Sequence, residues 1–249
     1  MAAPLFPARL RAILLDIEGT TTPVDFVYGT LFPFARARVE EFLSRHRQDN
    51  EVAADLEALR RQRETEAQAL PDLPPWREDS LGAQIASASA YTRWLMDHDR
   101  KVTAMKSIQG KIWEAAYRSG ELRGQVYPDV APAFERWRRQ GRKVAIFSSG
   151  SVLAQKLLFA HSTAGDLTAH IGAYFDTATG PKQDEQSYRR IAAALALSPA
   201  EVLFLSDVLA ELDAAQGADM ETALCVRSDA AASHAGRHAV VHTFEDVFP

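Results

Sequence analysis

Cysteine is almost missing from this chain: Cys225 is the single one among 249 residues. No internal disulfide can form, and a lone thiol suits a reducing compartment. Cys225 follows Ala223-Leu224 and precedes Val226 in a strand-like run, so it is expected to be a buried structural thiol rather than a nucleophile. A long apolar run is missing too. Residues 12–15 are too few for a signal core or a membrane span, and the stretch stops at Asp16. A cytoplasmic protein is expected. There is no basic excess either: the net charge is −5, and no Lys/Arg stripe is interleaved with aromatics, which argues against nucleic acid as a partner. Internal repeats and low-complexity tracts are absent. What is present, 47% hydrophobic and 24% charged residues, is the make-up of a soluble globular protein. The length suits one large domain or a core with an insertion.

Two textures alternate along the chain. Residues around 10–16, and then from about 126 to the end, read as strand-then-helix repeats. Short apolar runs at 143–147, 173–175, 202–205 and 222–226 are expected strands; 152–159, 184–195 and 210–216 are expected helices. Alternating β and α units imply a parallel sheet covered on both faces, a Rossmann-like α/β core. Residues 26–120 differ. Apolar positions at three-to-four spacing predict helices over 26–47, 52–69, 81–97 and 101–118, interrupted by the proline-rich 70–76. The expected organisation is therefore a discontinuous core, 1–24 with 125–249, and an all-helical cap, 25–124, inserted after the first strand. Trp94, Met96 and Trp113 fall at helical spacing and are expected in the core of that insert, and Arg60-Arg61-Gln62-Arg63-Glu64 on a solvated face.

The first strand ends in an odd way: Ile13-Leu14-Leu15-Asp16-Ile17-Glu18-Gly19. A buried carboxylate needs a compensating partner, because removing it from water costs several kcal/mol or more. Asp16 and Glu18 are two apart, so in an extended segment both face one side. Other candidates stand at later strand exits: Ser148-Ser149 after 143–147, Lys182 in a loop, Asp207 after 202–205. Singly, each has an ordinary explanation: a cap for either aspartate, a turn hydroxyl for the serines, a solvated lysine. Together, in an open parallel sheet, they meet at one edge, where such sheets bind ligands. The chemistry of that set is phosphoryl transfer. Mg²⁺ takes oxygen ligands and binds through one or two carboxylates plus phosphate. Asp16 and Asp207 can supply those carboxylates, Lys182 can hold a phosphoryl oxygen, and Ser148 or Ser149 can donate hydrogen bonds beside a helix N-terminus. Asp16 can then attack phosphorus.

That order of acid-x-acid, serine, lysine and Asp207-x-x-x-Glu211 resembles the haloacid-dehalogenase-type phosphatases. Finer motifs are similar to their enolase-phosphatase branch, which serves methionine salvage. They include Asp16-Ile17-Glu18-Gly19-Thr20-Thr21-Thr22-Pro23, Gln109-Gly110-Lys111-Ile112-Trp113, Ser148-Ser149-Gly150-Ser151-Val152 and Phe204-Leu205-Ser206-Asp207-Val208. The resemblance implies enolisation and then dephosphorylation of 2,3-diketo-5-methylthiopentyl 1-phosphate, a small-molecule substrate, by an Mg²⁺-dependent monomer. It also implies Mg²⁺ positions at Asp16, Asp207 and Glu18, the last through its backbone carbonyl, and substrate positions at Ser148, Ser149 and Lys182. Most relatives in the wider superfamily carry aspartate where Glu18 stands. The longer side chain suits a leaving group that is an enol, and frees Glu18 to move protons during enolisation. The inserted helices are expected to act as a lid that excludes water. Ser228-Asp229 follow Arg227 where the family commonly has proline and glycine. The rival readings are a phosphatase of the same fold acting on a sugar phosphate or another small organic phosphate, and a catalytically inert binding protein.

Overall fold

A computed structural model describes residues 5–227 and 236–249; Ser228 and Asp229 lie outside them. The chain forms two compact units, Met1–Val27 with Arg123–Pro249, and Tyr28–Leu122.

The first unit is built on one sheet of six strands: β1 Ala12–Leu15, β2 Lys143–Phe147, β3 Ile171–Phe175, β4 Val202–Ser206, β5 Glu221–Cys225 and β6 Ala239–Val241. Their order is β3-β2-β1-β4-β5-β6, and every neighbouring pair is parallel. β1 is central, with all four of its residues fully buried, which is why it reads as an unbroken apolar run. Chain order reverses between β1 and β4. In open α/β sheets such a switch point opens a crevice beyond the strand carboxyl ends. Register places the two flanks of that crevice together: Leu15 is level with Leu205 on one side and with Ile146 on the other. One face of the sheet packs Leu14, Phe147 and Phe204 against Tyr188, Ile191, Leu212 and Ala215. Each such large apolar side chain contributes about 1.5–3 kcal/mol on burial.

Most expected elements are present, with shifted ends. β3 starts two residues earlier than the apolar run suggested, and the helix expected at 184–195 is Glu185–Ala194, because the Asp184 side chain accepts from Gln186 N as an N-cap. Among the described residues, one strand and one α-helix went unread. β6 is only three residues long, between His238 and His242. The helix Val130–Arg139 contains Pro132, which reads as a breaker but falls in the first turn, where no backbone donor is required.

The second unit is helical throughout its regular structure: Phe32–His46, Asn50–Glu66, Leu81–Asp97 and Thr103–Ser119. The single helix expected over 26–47 is instead a one-turn helix Val24–Phe26, a π-helical turn Val27–Leu31, and then Phe32–His46 with Pro33 in its first turn. Proline permits a start there but no unbroken continuation from upstream. Ala35, Val39 and Leu43 form one buried stripe; Ile85, Ala88, Tyr91 and Leu95 form another. Trp113 is in this core, with its indole N–H donating to the Leu31 carbonyl at 2.9 Å, whereas Trp94 and Met96 are only half-buried. Arg60 and Arg61 lie along a helix face, paired to Glu57 and Glu64. Among the described residues, no helix is long and apolar enough to cross a membrane.

Candidate active site

Four adjacent strands deliver the candidate residues to one edge of the sheet. Asp16 follows β1, Ser148 follows β2, Lys182 lies in the loop after β3, and Asp207 follows β4. Asp16 continues the sheet by one residue, donating its backbone N–H to Leu205 O at 3.0 Å, and is 2% exposed. Its Oδ1 accepts from Lys182 Nζ at 2.6 Å and from Ile17 N at 2.7 Å; its Oδ2 accepts from Ser206 Oγ at 3.2 Å. These bonds are the compensation that a carboxylate buried at a strand end requires. Lys182 is nearly as enclosed, and it also binds Glu211 Oε2 at 2.7 Å. The Ser206 hydroxyl reaches Glu211 as well, at 3.0 Å. Asp16, Lys182, Glu211 and Ser206 thus form a closed polar ring, which rules out a solvated lysine and a capping role for Asp16.

Glu18 turns away from that ring toward the second strand exit, with its Oε2 3.5 Å from the Ser148 hydroxyl. Ser148 also accepts from Gly150 N at 3.1 Å, so the turn-hydroxyl explanation holds alongside any other role. Ser149 and Gly150 lead into the helix Val152–Ala160, which Ser151 caps by accepting from Ala154 N. Backbone donors at such a helix start favour an anion. Asp207 does not cap the following helix, whose N-cap is Val208. Instead it packs on Gly19: a Cβ there would lie 2.1 Å from Asp207 Oδ2, and Gly19 has φ +68°. No residue but glycine suits both the conformation and the contact. Gly19→Ala is therefore expected to displace the Asp207 carboxylate and to cost about 10²-fold in phosphate release. Phosphate assays alongside a thermal melt would show whether activity falls further than stability.

Burial and neighbouring charge raise the pKa of three carboxyl groups of the site. Burial, followed by the charge of Asp16, pushes the Glu18 carboxyl up to about 7, and burial and Asp16 do the same for Glu211. Asp207 is open to solvent on one side, yet desolvation by its walls, then Asp16, push it up to about 6. Burial works against the Lys182 charge, but Asp16 and Glu211 outweigh it and raise its pKa, holding the ammonium charged. A single lysine among four carboxylates leaves an excess of negative charge, with Asp207 and Asp16 Oδ2 available to a hard cation.

The haloacid dehalogenase-like hydrolase family model matches residues 10–219. The chain is 51% identical over 241 residues to enolase-phosphatase E1 of Synechococcus elongatus, covering 97% of this chain and 99% of that one. It is 49% identical over 239 residues to enolase-phosphatase E1 of Sorangium cellulosum, covering 96% and 97%. The chain belongs to the enolase-phosphatase E1 family of haloacid dehalogenase-like hydrolases. Among solved structures, the UTR4 protein of Saccharomyces cerevisiae is similar with a TM-score of 0.76 and 32% identity, over 95% of this chain and 99% of that one. A dehalogenase crystal structure, at 18% identity and TM-score 0.55, covering 98% of each chain, shares the fold.

In this enolase-phosphatase E1 family member, Glu211 and Ser206 complete the lysine ring. Glu211 stands in the sequence pattern at its spacing from Asp207, one helical turn on, but without a role as a partner of Lys182; Ser206 and Arg227 lay outside the expectation. Arg227, just past β5, gave no local signal. Next to the ring, an open cleft of about 370 Å³ is lined by Gly19, Tyr127, Asp207, Leu209, Cys225 and Arg227. Cys225 is buried, its Sγ 4.0 Å from the Thr20 carbonyl, and burial pushes the thiol up to about 12, as suits a structural cysteine.

Proposed function

We propose that the enzyme converts 2,3-diketo-5-methylthiopentyl 1-phosphate to the acireductone 1,2-dihydroxy-3-keto-5-methylthiopentene and phosphate, in methionine salvage. The observation that carries this reading is the near-full-length identity to proteins named enolase-phosphatase E1. The reading also includes action as a cytoplasmic monomer on a small-molecule phosphate.

The residues divide the work by position. Lys182 holds a phosphoryl oxygen, while the Ser148 hydroxyl and the backbone donors from Ser149 onward bind the others. Asp16 attacks phosphorus, the enol oxygen leaves, and water releases phosphate from the aspartyl ester. Glu18, with its pKa at about 7, is suited to exchanging protons near neutral pH. In the first step a proton leaves C1 of the diketone and the neighbouring carbonyl oxygen gains one. Our assignment gives Glu18 that transfer, which a shorter aspartate would serve less well. Asp16 and Asp207 fit as carboxylate ligands for Mg²⁺, and the Glu18 carbonyl as a third. Among the described residues no cluster of three or more His, Cys, Asp or Glu side chains could hold a metal by itself, so phosphate and water would complete the shell. When bound, Mg²⁺ would neutralise the phosphate and polarise the carbonyls.

The test is a joint time course of enol absorbance and phosphate release on the diketone phosphate with Mg²⁺. Enol should accumulate before phosphate, and excess chelator should stop both signals. Faster turnover of simple sugar phosphates than of the diketone would replace this reading with that of a general phosphatase. In the same assay Glu18→Gln is expected to slow enol formation by about 10²-fold or more. Unchanged rates of both steps would remove Glu18 from the mechanism.

A further inference from the structure

The loop that carries Glu18 and Gly19 is held from behind by Arg227. The Arg227 side chain is 8% exposed at the end of β5, and such a charge needs a partner. Asp129 supplies it, with Oδ2 2.6 Å from Nη1. Two further donors of the guanidinium converge on a single acceptor: Nε and Nη2 bind the Thr20 carbonyl at 2.9 and 2.7 Å. The plane of the group is confined by Tyr127 and Phe244, whose ring centroids lie 4.5 and 4.3 Å away. Asp129 is fixed in turn, because the same Oδ2 accepts from Phe244 N and from Thr243 Oγ1 at 3.1 Å. The next carbonyl, Thr21 O, accepts from Tyr127 N at 3.0 Å. The back of the turn is thereby tied down at two successive carbonyls, while its front carries Glu18 toward Ser148 and Gly19 against Asp207.

We propose that Arg227 is a positioning residue of the reaction: through the Thr20 carbonyl it sets the turn that aims Glu18 and seats Asp207. Asp129 neutralises its charge, so the role is geometric. Only a rigid planar fork can donate twice to one carbonyl while holding an ion pair, which a lysine ammonium cannot reproduce. Displacing the turn by about 1 Å would cost on the order of 10–100-fold in turnover. Substrate affinity should change little, because Ser148, Ser149 and Lys182 lie on other loops. The proposal rests on the enolase-phosphatase reading for the identity of the steps, though not for the geometry.

The experiment compares the wild type with Arg227→Lys, Arg227→Met and Asp129→Asn, measuring kcat and KM on the diketone phosphate, phosphate release from p-nitrophenyl phosphate, and Tm. Arg227→Lys keeps the charge beside Asp129 and should fold, with kcat down about 10–100-fold and KM within about threefold. Arg227→Met should match or exceed that loss. Asp129→Asn retains an oxygen acceptor and so keeps the geometry; its Tm should fall while kcat stays within about threefold. A folded Arg227→Lys with wild-type kcat would overturn the proposal, as would equal kcat losses in Asp129→Asn and Arg227→Lys. If the wild type fails on the diketone phosphate but hydrolyses p-nitrophenyl phosphate, the functional reading falls. The Arg227 comparison is then decided on the second substrate.

Discussion

Asp16→Asn is expected to lower phosphate release by roughly 10⁴-fold or more while leaving the protein folded, because in the proposed mechanism it replaces the attacking carboxylate with a non-nucleophilic amide. A structural carboxylate would behave in the opposite way, with stability lost and activity partly kept. The site geometry indicates the direction of the stability change. Asp16 is among the causes that raise the pKa of Glu18, Asp207 and Glu211, so neutralising it relieves three repulsions. Lys182 meanwhile keeps Glu211 at 2.7 Å. The variant should therefore melt at or above the wild-type temperature, a trade of stability against activity typical of crowded active sites. Single-turnover phosphate assays and a thermal melt on the same preparation check both halves.

Lys182→Met should lose on both counts. In the proposed mechanism the phosphoryl oxygen then has no point charge to meet it, and turnover should fall by about 10²–10³-fold. The fold also suffers, because Asp16 and Glu211 are left buried without a cation, a loss of about 3–5 kcal/mol. This deficit depends on pH, and its sign follows from Glu211. Its pKa rises from 4.5 in the unfolded chain to about 7 in the fold, so its stabilising protonation is complete below 4.5 and lost as pH rises through 7. Removing Lys182 moves that carboxyl higher still. Urea unfolding should thus find the variant weakest at alkaline pH and closer to wild type on acidification. A pH-independent deficit would mean that the carboxylates are not the source.

Much of the fold was legible because its central strands carry a plain signal. The strands β1, β2 and β4 are buried on both faces, so each appears as a short apolar run ending in a polar residue. Parallel pairing then brings Asp16, Ser148 and Asp207 to one edge, whatever their distance along the chain. β6 escaped because three residues at a sheet edge carry too little pattern to stand out from a loop. Val130–Arg139 has its apolar residues at helical spacing, but Pro132 in its first turn interrupts the helical signal. The hidden parts of the site are those made by tertiary pairing alone. Arg227 meets Asp129 across 98 residues and Thr20 across 207, and no local periodicity marks either contact. Ser206 is similar: in the strand it is simply the last small residue, and its bond to Asp16 exists only because β1 lies beside β4.

Cys225 offers a consequence of another kind. As the chain's single thiol, it lies under the Thr20 carbonyl and borders the cleft next to Asp207. A thiol-specific probe can therefore label the protein at one place, and only when that turn lifts or β5 frays. The labelling rate is then a clock for the opening of this corner, the Glu18 turn or the end of β5, read without substrate, metal or spectroscopic tag.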